Sequence, residues 1–100
     1  MQLVKTVVSD GKTDAGRLMD REGELVLECH GFHYRFQSRA DSLGTIHRLH
    51  WVEREDKPLI DIFRVADGVD VWHAYEINGS VECTACCPVE AAIRTLWEIM

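Results

Sequence analysis

Residues 24–37 read Glu24-Leu25-Val26-Leu27-Glu28-Cys29-His30-Gly31-Phe32-His33-Tyr34-Arg35-Phe36-Gln37, and their alternation decides the fold. With His30-Gly31 as a two-residue turn and Gly31 at positive φ, Cys29 falls opposite Phe32, Leu27 opposite Tyr34 and Leu25 opposite Phe36, all on one face. The other face pairs Glu28 with His33, Val26 with Arg35 and Glu24 with Gln37. Apolar residues on one side and plausible charge pairs on the other are the mark of a half-buried antiparallel sheet.

Working outward, Asp67-Gly68 is a favoured type I′ pair between two β-rich runs, Leu59 to Ala66 and Val69 to Tyr75. That turn sets Phe63 opposite Trp72 and Ile60 opposite Tyr75. A third turn at Asn78-Gly79 returns the chain along Ser80-Val81-Glu82-Cys83. Upstream, Thr45 to Arg54 alternates loosely and joins the Leu59 strand through Glu55-Asp56-Lys57-Pro58. A helix capped by Asp41 or Ser42, with Leu43, Ile46 and Leu49 on one stripe, competes with this strand; Gly44 and the β-branched Thr45, Ile46 and Val52 disfavour it. Residues 88–100 predict a helix, with Pro88 at its first position, Glu90 near its positive end, and Val89, Ile93, Leu96, Trp97 and Met100 on one side. Leu3 to Ser9 reads as a strand, and Gly11 to Gly23 as a polar connection with a short helical turn around Ala15 to Arg21. The expected class is α+β, an antiparallel β-meander sheet packed against a C-terminal α-helix.

A chain of 100 residues, 46% hydrophobic and 28% charged, has room for one core, so a single domain over residues 1–100 is expected. Its apolar runs are far shorter than the ~20 residues of a membrane span. The start, Met1-Gln2-Leu3-Val4-Lys5-Thr6, lacks the apolar core of a signal peptide, which points to the cytoplasm. The formal charge of −6 argues against direct nonspecific binding to nucleic acid, which needs phosphate neutralisation. The acidity is uneven: residues 1–57 carry nine Lys and Arg against ten Asp and Glu, and residues 58–100 carry two against seven.

Soft metal ligands are numerous, namely Cys29, Cys83, Cys86, Cys87, His30, His33, His47, His50 and His73. Cys83-Thr84-Ala85-Cys86 has the spacing of a zinc knuckle, and a small zinc-stabilised module on Cys83, Cys86 and Cys87 is an alternative reading. Cys29 with His33 would complete the set, yet the hairpin puts these two on opposite faces, and no second Cys-x-x-Cys exists. Cys86 and Cys87 precede a helix whose N-terminus would lower a thiol pKa, but the motif closes a meander rather than opening a thioredoxin-like unit. His47-x-x-His50 falls on opposite faces of a strand. Ser9, Ser38, Ser42 and Ser80 lack a Gly-x-Ser-x-Gly context, and Gly11-Lys12-Thr13 is only the tail of a phosphate loop. No converging set of titratable groups marks an enzyme, and no cofactor is implied.

The expectation is therefore a small acidic, non-enzymatic protein-binding module. Its proposed face carries Asp67, Asp70, Glu76 and Glu82, with Trp72 as the aromatic anchor. The partner would be a larger protein or ribonucleoprotein with a basic surface, and a homodimer through a sheet edge is a third possibility. By size and charge alone, the chain is comparable with inhibitors and accessory factors of phage and mobile elements, including those that block nucleic-acid grooves of host defence complexes. For the first hairpin, Gly31→Val is expected to destabilise the protein by about 1 kcal/mol or more, seen as a lowered melting temperature, because β-branched residues resist positive φ.

Overall fold

The computed structural model describes the backbone of residues 2–9, 12–41 and 44–99, and the side chains of 16–40 and 44–99. Within it, eight strands run in chain order, each antiparallel to the next. They are β1 (Gln2–Ser9), β2 (Lys12–Arg21), β3 (Glu24–Cys29), β4 (Phe32–Asp41), β5 (Gly44–Trp51), β6 (Lys57–Arg64), β7 (Trp72–Glu76) and β8 (Glu82–Ala85), followed by α1 (Pro88–Ile99). The fold is the α+β meander and C-terminal helix that the alternation implies.

The β3–β4 hairpin has the register read from sequence, with Cys29 opposite Phe32, Leu27 opposite Tyr34 and Leu25 opposite Phe36. His30 and Gly31 both adopt positive φ, 56° and 78°, as a type I′ turn requires. Glu22 and Gly23 do the same at 54° and 85° and join β2 to β3, with the Gly23 N–H donating to the Asp20 carboxylate at 2.8 Å.

Two local expectations are corrected. Residues 15–21 form no helical turn but part of β2, where Leu18 faces Leu27 in the core and Arg17 and Arg21 sit opposite Glu28 and Glu24. The open edge of β3 needs hydrogen-bond partners, and that demand overrides the weak helical preference of the segment. The Asp67-Gly68 hairpin is wider than a type I′ loop. Gly68 takes φ 74° and Asp67 does not take positive φ, while the Val65 N–H donates to the Val71 carbonyl at 2.9 Å across five intervening residues. Phe63 therefore pairs with His73 rather than Trp72, and Ile60 with Glu76 rather than Tyr75. This register buries Ile60, Ile62, Trp72 and Ala74 on one side, and burial of an apolar face sets strand register. Residues 44–51 are strand, as preferred over a helix; Ser42 and Leu43 of that alternative, like Gly11 and Met100, lie outside the described residues.

Helix α1 packs on β6, β7 and β8 and also on β1 and β2, so the two ends of the meander curl towards the same helix. Its small Ala91 and Ala92, with Ile93 and Leu96, meet the inner face of Leu27, Tyr34, Leu49, Ile60 and Ile62, all fully buried. Cys87 caps the helix: its carbonyl accepts from the Ala91 N–H at 3.0 Å, and its sulfur lies 3.4 Å from the Glu90 N–H. At the other end, Trp97 stands edge-on to His30 of the first turn, centroids 3.9 Å apart, tying helix to hairpin. Trp97 is half-buried rather than enclosed, so Trp97→Ala is expected to cost about 2–3 kcal/mol in urea unfolding, below the range for a fully buried tryptophan.

Candidate protein-docking face

The inner face is filled by the helix, and the outer face divides into two zones. Over β3 to β5 the charges are interlocked. Arg35 grips Asp56 through two hydrogen bonds, at 2.7 and 3.3 Å, and lies 3.4 Å from Glu24. Glu53 accepts from the His33 backbone N–H at 2.8 Å and approaches its ring Nδ1 at 2.7 Å. Each such exposed pair adds little stability, but together they make a self-satisfied polar surface.

The second zone, over β6 and β7, is different in kind. Phe63 and Tyr75 are 38% and 37% exposed, and Val65 and Val71, opposite each other one step along the ladder, are exposed as well. Phe63, His73 and Tyr75 form a continuous aromatic group, with centroid separations of 5.2 Å for Phe63 to His73 and 5.9 Å for Phe63 to Tyr75. Val69 extends the apolar stripe to the hairpin tip. A cleft of about 440 Å³ opens beside Phe63, lined also by Ile46, Arg64 and Asp67.

One polar device holds this stripe in place. Arg48 donates to both oxygens of Asp61, at 2.6 and 2.9 Å, and Tyr75 donates its hydroxyl to Asp61 at 3.2 Å. Asp61 is buried, and the Arg48 hydrogen bonds hold its carboxyl below the usual carboxylate range. Burial, and next the Asp61 charge, push the Tyr75 hydroxyl above its ordinary value, so it remains a donor.

The residues singled out from sequence separate. Asp67 and Asp70 are exposed at the hairpin tip, Asp70 with only a 3.9 Å approach from Arg64. Glu82 is exposed on β8, 3.5 Å from His73 Nε2. Glu76 is opposite buried Ile60, and its carboxylate lies against Gly79, so it does not join them. Trp72 is 8% exposed and packs with the core, with Arg64 over its ring at 4.9 Å, and it contributes to the wall of the cleft beside Phe63. Asp70 and Glu76 lie roughly 20 Å apart at extended-strand spacing, too far to form one patch. The aromatic residues of the stripe were legible in one respect: Asp61 and Phe63 are two apart in a strand and must share a face.

The remaining ligand candidates do not converge. Among the described residues no three His, Cys, Asp or Glu side chains are grouped as a metal would need. Cys29 is buried, and desolvation pushes its thiol up to about 11, while His33 points outward with Glu28. Cys86 donates to Glu90 at 3.4 Å, and that carboxylate raises its pKa, the reverse of the shift a helix N-terminus alone would give. His47 and His50 lie on opposite faces of β5: His47 pairs with Ser38 Oγ at 2.6 Å across the ladder, and His50 Nδ1 meets the Asp56 carbonyl at 3.2 Å. Burial lowers the His47 pKa, and no carboxylate meets its ring among the described residues, so the Ser38–His47 pair lacks the third group that orients a catalytic imidazole.

The depressed Asp61 pKa has a pH signature. Its stabilising contribution is complete above about pH 4, the unfolded value, and is lost as pH falls through the lower folded value. Asp61→Asn should therefore lose less stability than wild type between about pH 7 and about pH 3 in urea titrations. Arg48→Met should cost about 1–2 kcal/mol at neutral pH, since the guanidinium is itself partly exposed.

Compared with protein-family models, curated proteins and solved structures, the chain matches none.

Proposed function

We propose that this chain is a protein-binding module whose docking surface is the outer side of the β6–β7 hairpin. The observation that carries the proposal is the exposed apolar stripe Phe63, Val65, Val71 and Tyr75, with the carboxylates Asp67 and Asp70 at its tip and Glu82 at its opposite end. An apolar centre inside a polar rim is the anatomy of a protein interface, and an apolar stripe on a small monomer's surface is costly to leave without use. Rim charge and a net charge of −6 select a partner that is basic around an apolar centre. That chemistry fits an inhibitor or accessory factor, of the kind phage and mobile elements carry, occupying a basic nucleic-acid-binding surface of a larger protein or ribonucleoprotein.

Edge-to-edge homodimerisation is less favoured, because Arg94 donates to the Thr84 carbonyl of β8 at 3.4 Å and α1 packs against the same strand. No helix among the described residues is long and apolar enough to cross a membrane. All four cysteines are free, which fits a reducing compartment such as the cytoplasm.

The test begins with the protein retained from host lysate, purified and assayed directly. Phe63→Thr with Val71→Thr, which keeps β-branched side chains in the hairpin, should weaken binding by roughly tenfold or more while circular dichroism is unchanged. Asp67→Asn, Asp70→Asn and Glu82→Gln together should slow association and flatten its salt dependence. Unchanged binding in both variants would remove this face as the docking surface.

A further inference from the structure

Resting on that docking surface, a narrower inference concerns the chemical group the partner inserts. The planes of Phe63 and Tyr75 meet at 66° with centroids 5.9 Å apart, an edge-to-face contact that leaves both side chains partly exposed. His73 lies beside both on the same face, its ring centroid 5.2 Å from that of Phe63 and 6.3 Å from that of Tyr75. Glu82 stands directly opposite Tyr75 on β8. Its carboxylate is 67% exposed and meets only His73 among the described residues.

We propose that Phe63, Tyr75 and Glu82 form a cradle for an arginine side chain presented by the partner. Aromatic faces attract cations, and a guanidinium stacks on a ring while its edge donates to a carboxylate in a fork, which an ammonium does less well. The molecule uses the same contact internally where a cation is available, with Arg64 over Trp72 at 4.9 Å and Arg54 over Trp51 at 5.5 Å. Phe63 and Tyr75 are themselves partly exposed, and Glu82 lies across the ladder from Tyr75. Asp61 does not compete for the incoming cation, because Arg48 already holds both its oxygens. The Tyr75 to Asp61 hydrogen bond fixes the ring before binding, so little side-chain freedom is lost when the guanidinium arrives.

The probe is N-acetyl-arginine amide, titrated into the full-length protein and followed by NMR, with the lysine and the uncharged citrulline amides as comparators. The arginine compound should shift the signals of Phe63, His73, Tyr75 and Glu82 together, half-saturating at a concentration roughly threefold or more below that of citrulline. Glu82→Gln and Phe63→Leu, both mild surface changes, should each reduce that preference. Equal responses to arginine and citrulline, or shifts centred elsewhere, would overturn the cradle. If the cradle fails while Phe63→Thr with Val71→Thr still abolishes partner binding, the stripe docks by apolar contact alone. If the arginine titration succeeds while those substitutions leave partner binding intact, the docking assignment fails and the cradle stands.

Discussion

The structure depends on one burial constraint: a long meander, apolar along one side, has a single helix with which to cover it. Ala91 and Ala92 let the backbone of α1 approach the sheet closely, and Ile93 and Leu96 reach into Leu27, Leu49, Ile60 and Ile62. Twelve helical residues span about 18 Å, less than the width of eight strands at about 4.8 Å each, so a flat sheet would leave its margins uncovered. Curling brings β1 and β2 as well as β6 to β8 onto the same helix. Among the described side chains, β3 to β7 then carry an inside and an outside.

That division gives meaning to what stands outside. Nothing in the core requires Phe63, Val65, Val71 or Tyr75 to be apolar, since their neighbours Ile62, Trp72 and Ala74 already fill the inner side of the same hairpin. Over β3 to β5, paired charges such as Arg35 with Asp56 and His33 with Glu53 surround the exposed Val52. The contrast between a self-satisfied zone and an apolar one on a single sheet is the physical basis for assigning a partner to the second. The Arg48–Asp61–Tyr75 network lies between the zones and holds the aromatic side chain where solvent reaches it.

The cysteine-rich segment shows how residue type can mislead when geometry is missing. Cys83-Thr84-Ala85-Cys86 has knuckle spacing, but Cys83 lies opposite buried Ala74 on β8 while Cys86 is exposed and donates to Glu90. Cys87 is used as a helix cap. Cys86 and Cys87 both meet Glu90, one at its carboxylate and one at its backbone N–H, whereas Cys83 is held in the β8 ladder.

Residue order alone specifies the class of fold, the β3–β4 register and the helix. Each is a local matter: adjacent residues in a type I′ turn fix pairing for every step of a hairpin, and an apolar stripe beginning at a proline fixes a helix start. It also placed His47 and His50 on opposite faces, because strand periodicity is intrinsic to the backbone. The β6–β7 register, the strand character of residues 15–21 and the membership of the candidate site follow instead from packing between distant segments. Asp67-Gly68 is compatible with more than one loop length, and the choice was made by burial of Trp72 and Ala74 beside Ile60 and Ile62 under a helix about twenty residues away in sequence. The same choice drew Trp72 into the core, turned Phe63 and Tyr75 outward, and left Glu76 apart from the other carboxylates. Burial is a cooperative property of the whole sheet and helix, which no single stretch of chain contains.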